Sequence, residues 1–487
     1  MKEIQVERSL KQVKACTTAG HDGLSATLIK KLAPALTPNV TQIFNSCIST
    51  SVFPDCWKMA NISAIWKNKG AKNDVSNYRP ISVLPILSRI FEKMLSNQLG
   101  NFCEINGLIP KEQFGFRAKS SCETALAVAT DKWMSEVDKG MFVGVILIDL
   151  SKAFDSVNHL KLIKELSSLQ LCASTIRLFQ SFLDGRIQRV VCGGASTEWK
   201  SINRGVPQGS CLSPLLFNIY VRRLPNEANC DVCQFADDVT ESASGSTIEE
   251  VKIKLTDSFN RTKAFCDTLD LSINCSKTQF IIFKQPAKGV PESFHLDLDG
   301  ISIKPCKEAE LLGFKLDRHF TFAAHIDSVI LKARGTLGML RRVSKWLPRE
   351  LTKLAYMALI RNNLEYCSII FANAASTHLQ KLETVQRIAA RIICSTARDS
   401  HAAPLLELLD LPSLESRRDK RLLKVAADIV LGSCHPALLN SIEFNEESSV
   451  VIPTSRTIIG SRRVSVTAAR TLIQALDIQA LDIHSQL

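Results

Sequence analysis

Three acidic residues pose the first chemical question. Asp237 and Asp238 stand side by side in CQFADDVT, and Asp149 closes the apolar run GVILI. Burying an unpaired carboxylate is costly, so a doublet in strand-like surroundings needs a compensating charge. A divalent cation supplies it, and hard ions such as Mg2+ prefer oxygen ligands. Neighbouring side chains on a regular strand face opposite ways. Asp237 and Asp238 can therefore join Asp149 only from the turn of a hairpin, with Asp149 and Asp237 as the main bridging pair and Asp238 as accessory. An isolated Asp–Asp pair usually makes a solvated turn. Three carboxylates at strand ends in a basic chain instead suggest two-metal phosphoryl or nucleotidyl transfer.

The elements that must hold these acids are legible in outline. The first stretch, to about Trp57, reads as helix broken at TTAGHDG, and ANISAIWKNKG as a strand entering a basic turn. After Pro85, Ile86, Leu87, Ile90, Phe91, Met94 and Leu95 recur at helical spacing. The loop KEQFGFRAKSS enters another helix, with Ser121 or Ser120 as its cap. GVILIDL has the length and β-branched content of a buried strand. A helix is expected over roughly 160–182, then two strands around Gly193 and Gly194, then a helix with Ser213 and Pro214 in its first turn. DVCQFADDVTESAS reads as strand, tight turn, strand. A helix comes next over about 247–269, and LSINCSKTQFIIF and ELLGFKLDRHFTF supply further strands. Beyond His325 two apolar stripes appear among basic residues. One is Ile326, Val329, Ala333, Leu337 and Leu340; the other is Leu379, Leu382, Val385, Ile388 and Ile392. An α+β body followed by a basic helical region is the expected class, with the last fifty or so residues polar and irregular.

At 487 residues the chain is expected to form roughly two to four domains. Lys and Arg number 60 against 48 acids, a net charge of +12 that suits a polyanionic partner. The N-terminus MKEIQVERSLKQVK is charged, and the apolar run MFVGVILIDL is too short to span a bilayer. An intracellular protein of the nucleus or cytoplasm with no membrane partner is expected, its 16 cysteines being reduced thiols. Cys230 and Cys233 have C-x-x-C spacing without a second ligand pair nearby, and strand packing explains them better than zinc.

The motifs LIDLSKAFDSVNH, RGVPQGSCLSPLLFNIY, QFADDVT, LSINCSKTQFIIF and LLGFKLD succeed one another in the order of reverse transcriptase motifs. Upstream, NYRPISVLPILSRIFEKML and IPKEQFGFRAKSS resemble the finger motifs of non-LTR retrotransposon reverse transcriptases, most like the jockey-type elements. LEYCSII and LQKLETVQRIAARII resemble the region C-terminal to the polymerase in that group. The resemblance implies a right-hand fold: an N-terminal extension over 1–60, fingers and palm over 61–314, thumb and helical region over 315–435, and a tail over 436–487. It implies RNA-directed DNA synthesis with two Mg2+ ions, Mn2+ being the alternative, on an RNA template and DNA primer with dNTPs. Asp149, Asp237 and Asp238 match the metal-binding carboxylates, and the Leu150 carbonyl would sit beside the metals. Phe154 matches the aromatic gate against a ribose 2′-hydroxyl. Gln208 and Gly209 match the loop beside the incoming nucleotide. Arg79 and Arg117 are candidate triphosphate contacts, since guanidinium forks suit phosphate oxygens. Lys277 matches a lysine that neutralises leaving pyrophosphate. The basic stripes would belong to the thumb, gripping the duplex through its phosphates.

Three departures stand out. Phe235 replaces the tyrosine of many relatives. Arg222 and Arg223 stand where the family usually carries an Asn-Asp pair. No room precedes Met1 for the endonuclease domain such elements usually encode, so a truncated frame or a separated polymerase module is expected. The competing readings are a decayed or domesticated nucleic-acid-binding derivative, and a maturase-type enzyme that folds an intron RNA.

Overall fold

The computed structural model describes residues 1–68, 70–439, 442–444 and 450–485. It divides into two compact units that share the chain in alternation. The first comprises Met1–Phe116, Asp149–Glu227 and Arg261–Asn274; the second comprises Arg117–Ile148, Ala228–Asn260 and Cys275–Leu487.

In the first unit, α1 (Glu3–Lys11), α2 (Ala26–Lys31) and α3 (Ala33–Thr50) precede β1 (Met59–Trp66) and β2 (Tyr78–Val83). The N-terminal residues share the unit's core rather than standing apart from it. Phe44 of α3 meets Phe91 at 4.8 Å, and Phe53 meets Phe182 at 5.1 Å, with Trp57 packed among them. Phe91 lies on α4 (Ile86–Ile105), whose apolar stripe is buried as the spacing after Pro85 predicts. β1 pairs antiparallel with β2 and parallel with β4 (Ile187–Cys192); two-residue strands β5 (Ala195–Ser196) and β6 (Lys200–Ser201) complete the sheet.

The second unit opens on α5 (Cys122–Asp138), capped by Ser121, whose hydroxyl accepts the Thr124 N–H at 3.1 Å. β3 (Phe142–Ser151) comes next, and its last residues, from Asp149, belong to the first unit. Its sheet has the order β10-β3-β8-β7, built from β7 (Asp231–Phe235), β8 (Asp238–Gly245) and β10 (Gln279–Phe283); β9 (Ser272–Ile273) pairs with the end of β3.

The helix expected over 160–182 is two helices. α6 (Ala153–Ser156) and α7 (His159–Ser167) come first, and α7 stops where Gln170 turns left-handed at φ 58° before α8 (Ala173–Leu183). α9 (Ser213–Tyr220) and α10 (Leu224–Glu227) end the middle segment, and α11 (Ile248–Thr268) carries the chain from one unit into the other.

Two small hairpins, β11 (Leu296–Leu298) with β12 (Ile301–Ile303) and β13 (Glu308–Leu311) with β14 (Phe314–Asp317), lead to the helical region. There α12 (Ala323–Val343) and α13 (Arg349–Tyr356) precede a π-helical turn, Met357–Arg361, that runs into α14 (Asn362–Leu364). α15 (Ser376–Ile393), α16 (Ala402–Leu408) and α17 (Leu414–Val430) complete that region. The predicted stripes of α12 and α15 face one core, which also holds Trp133, Phe283, Phe314 and Phe371.

The irregular tail expected from 436 onward is in large part helical, with α18 (Ile458–Ser461) and α19 (Val464–Ser485). Two acids of α5 anchor it. Asp138 accepts the Arg456 and Thr457 N–H groups at 2.8 and 2.6 Å, and Asp131 accepts the Ser465 N–H at 2.8 Å. Val464, Val466, Ala468 and Ala469 are buried there. These anchors lie more than 300 positions upstream, beyond the reach of local pattern. All 16 cysteines are free of disulfides. No described helix is long and apolar enough to cross a membrane.

Candidate active site

In the second unit, β7 and β8 form a hairpin whose register pairs Phe235 with Asp238. Only Ala236 and Asp237 remain for the turn, and Ala236 takes it with a positive φ of 58°. Asp237 thus sits at the tip, half-buried, and Asp238, the first residue of β8, is exposed. This is the hairpin turn that the doublet requires. Phe235 continues the strand without a hydroxyl. Cys230 and Cys233 serve packing: the Cys230 thiol lies 2.9 Å from the Ser258 hydroxyl, and burial, helped by Glu241, pushes it up to about 12.

β3 is the neighbour of β8 in the strand order. Asp149 is half-buried near its end, and Leu150 is buried. The Asp149 carbonyl accepts the Asn274 N–H at 2.8 Å, while Leu150 is opposite Ile273 of β9. Backbone carbonyls alternate along a strand, so the Leu150 carbonyl points to the other edge of β3. Lys152, left-handed at φ 48°, then ends the strand and starts α6.

Phe154 lies on α6 and is stacked on buried Phe217 of α9 at 4.6 Å. The segment around it is zipped to the GVPQG loop within the first unit. The Val206 N–H donates to the Phe154 carbonyl at 2.9 Å, and the Gly205 N–H to Val157 at 2.8 Å. Gln208 is pinned twice: its amide donates to Asp155 Oδ1 at 2.9 Å, and its carbonyl accepts the Ser82 N–H at 2.7 Å. Gly209 has φ 129°, and a Cβ there would come within 2.5 Å of the Ser82 carbonyl oxygen, so only glycine fits.

The same loop is held from below by a carboxylate that sequence reading passed over. Glu92, buried on α4, accepts the Ser210 hydroxyl at 2.5 Å, the Cys211 N–H at 3.0 Å and the Ser88 hydroxyl at 2.7 Å. The signal was present: Ser88 and Glu92 are an i, i+4 polar pair inside an apolar stripe. Asp270 braces the opposite side, taking Lys161, Arg204 and Asn158 at 2.7 to 2.8 Å. Lys161 first, then Asn158, hold its carboxyl below the usual range.

Arg79 is exposed on β2 opposite Ile65, and Lys277 is exposed in the turn between β9 and β10. Arg117 is half-buried at the start of the second unit. On α12, Lys332, Arg334, Arg341 and Arg342 are exposed, and Lys345 lies just beyond beside Trp346. On α15, Lys381 pairs with Asp327 at 2.9 Å and Arg391 donates to the Ser400 carbonyl, so part of that stripe is structurally engaged.

Among the described residues, no group of three or more His, Cys, Asp and Glu side chains could hold a metal ion as a cluster. The acids of β3 and the hairpin nonetheless offer only hard oxygen donors. Mg2+ commonly takes one or two carboxylates and completes its octahedron with water and substrate phosphate. The donor chemistry therefore fits that ion.

Residues 67–316, just over half of the chain, match the family model described as "Reverse transcriptase (RNA-dependent DNA polymerase)". The chain belongs to the reverse transcriptase family. Its relatives include the "Probable RNA-directed DNA polymerase from transposon X-element" of Drosophila melanogaster, 27% identical over 77% of this chain and 42% of that protein. The "RNA-directed DNA polymerase from mobile element jockey" of Drosophila funebris is 28% identical over 78% of this chain and 42% of its own length. The probable polymerase from transposon BS of Drosophila melanogaster is 25% identical over 86% of this chain and 47% of its own length. The chain thus spans less than half the length of these relatives. The family's right-hand polymerase fold agrees with the mixed helix and sheet observed.

The Arg222 and Arg223 departure from the family pattern is locally compensated. Glu165 lies 3.4 Å from Arg222 and 3.8 Å from Arg223, Glu227 lies 3.1 Å from Arg223, and Arg222 also donates to the Ser168 hydroxyl at 2.8 Å.

Proposed function

We propose that the protein is an RNA-directed DNA polymerase of a non-LTR retrotransposon, joining a primer 3′-hydroxyl to a dNTP with loss of pyrophosphate. The observation that carries this reading is the acid-tipped β7–β8 hairpin in a sheet whose strand order sets β8 beside the Asp149-bearing strand. Asp149 and Asp237, with Asp238 accessory and the Leu150 carbonyl beside them, would hold two Mg2+ ions. Bound there, the pair would acidify the attacking hydroxyl and neutralise the leaving oxygen.

The remaining residues position and select. Phe154 presents a flat ring, backed by Phe217, that would collide with a ribose 2′-hydroxyl. Gln208 and Gly209 shape the floor beside the incoming nucleotide and the template. Arg79 and Arg117 would take triphosphate oxygens, and Lys277 would neutralise pyrophosphate as it departs. The exposed cations of α12 and Lys345 would bind template–primer phosphates without reading sequence. No protein nucleophile is needed, because positioning and charge neutralisation supply the catalysis.

A decayed nucleic-acid-binding derivative is the alternative; Arg222 and Arg223, which depart from the family pattern, have Glu165 and Glu227 as local charge partners, which supports the polymerase reading. The test is Mg2+-dependent extension of oligo(dT) on poly(rA) by purified protein, beside its Asp237→Asn variant. Extension by the parent alone supports the reading. Duplex binding without incorporation by the parent sinks it.

A further inference from the structure

We propose that Phe116 is a positioning residue for the sugar gate: its ring pins Phe154 and so sets how strictly ribonucleotides are excluded. The inference rests on the polymerase reading and concerns its specificity.

Phe116 is an expensive residue to place where it stands. The residue is 59% exposed, so it fills no core. Its backbone is left-handed at φ 55°, a conformation that strains a residue with a large side chain. Such outliers survive when the surroundings over-determine them, and here they do. The preceding Gly115 is gripped on both sides by buried amides: its N–H donates to Gln113 Oε1 at 2.8 Å, and its carbonyl accepts from Asn218 Nδ2 at 2.8 Å. Gln113 and Asn218 thus use buried hydrogen-bonding capacity to hold the loop that presents an exposed phenyl ring.

That ring meets Phe154 edge-on, with centroids 6.4 Å apart and planes at 89°. Phe217 stacks on the same gate ring at 4.6 Å and 24°. Phe154 is therefore backed by one ring and flanked by another. A gate excludes a hydroxyl only while its ring cannot swing aside. Phe217 supports one side of the ring, and Phe116 adds a second support. The arrangement explains together the exposure, the backbone strain and the buried amides around Gly115.

The test compares kcat/KM for dTTP and UTP on poly(rA)/oligo(dT). Phe116→Ala should lower dTTP/UTP selectivity by about 3- to 10-fold, through a rise in kcat/KM for UTP, the size expected of one edge-to-face aromatic contact. Phe116→Gly removes the ring and relieves the strain, so it should lose selectivity equally while its Tm holds or rises. Phe116→Tyr keeps the ring and should keep the selectivity. Phe154→Ala should lose more than either. Wild-type selectivity in both Phe116→Ala and Phe116→Gly, with selectivity lost in Phe154→Ala, would overturn the inference and leave the gate intact. Unchanged selectivity in Phe154→Ala would overturn gate and inference together, while dTTP incorporation still upheld the polymerase. A protein that incorporates nothing would overturn all three.

Discussion

The two main sheets of this molecule solve different problems. In the β10-β3-β8-β7 sheet, residues 142–146 of β3, 280–283 of β10 and 239–243 of β8 are buried in unbroken runs. In the β2-β1-β4 sheet, burial alternates at first and then lapses: Ala64 and Ile65 of β1 and Arg79 and Pro80 of β2 are exposed. The first sheet feeds a core that extends through Trp133, Phe283 and the α12 stripe. The small cluster in the second is Ala60, Ile62 and Leu84. One sheet is the more deeply buried scaffold, and it carries the acid hairpin. The other presents a cation, Arg79, on a lightly anchored surface. Local stability should track the density of buried apolar contact.

The sharpest separation comes from substitutions on the scaffold sheet. Asp237→Asn removes a charge at a hairpin tip and should cut incorporation by about a thousandfold or more, with duplex binding and Tm nearly unchanged. Near-normal synthesis by that variant would break the assignment. Gly144, in the middle of β3, should show the opposite pattern. A Cβ there would lie 2.4 Å from Val251 Cγ1 and 2.7 Å from Leu255 Cδ1, so Gly144→Leu should cost about 3 kcal/mol in a denaturant titration. A loss below about 1 kcal/mol would mean that this sheet is less tightly packed than those contacts imply.

Acid should test the same core. Burial first, then Lys332 and Lys315, hold buried His325 down at about 4, against an ordinary 6.5. Protonation then favours the unfolded chain. The contribution is whole above pH 6.5 and shrinks as the pH falls, disappearing near pH 4. Its full size is about 3 kcal/mol. His325→Phe should flatten that part of the pH–stability curve, and an unflattened curve would shift the acid sensitivity to other groups. On the lightly anchored sheet, Ile65→Ala should change stability by no more than about 0.5 kcal/mol. Amides of β1 and β2 should exchange with deuterium before those of β3, β8 and β10, and the reverse order would erase the contrast between the sheets.

Much of this was legible in the chain, and the pattern of success is physical. Periodicity found α4, α12 and α15 because each buries one continuous stripe. Adjacent acids implied a hairpin turn because no regular strand can aim both at one place. The break between α7 and α8 was invisible because a glutamine, Gln170, takes the left-handed position that glycine usually marks. The docking of α18 and α19 was hidden because Asp131 and Asp138 read as surface acids until distant donors reach them. Within the site, the acids and the Phe154 and Gln208 motifs stood out by type and order. Glu92 and Phe116 did not, because what marks them lies far along the chain: a loop more than a hundred residues later for Glu92, and the Phe154 ring on α6 for Phe116.

The alternation of the chain between its two units sets a schedule for biosynthesis. The first unit takes residues as late as Asn274, and the second begins at Arg117 yet draws on helices beyond residue 400. Neither can close on the ribosome from one uninterrupted stretch of nascent polypeptide, so the first unit stays incomplete until residues 261–274 emerge, past the midpoint of the chain. A nascent chain arrested before residue 261 should therefore lean on holdase chaperones more heavily than one released after residue 274.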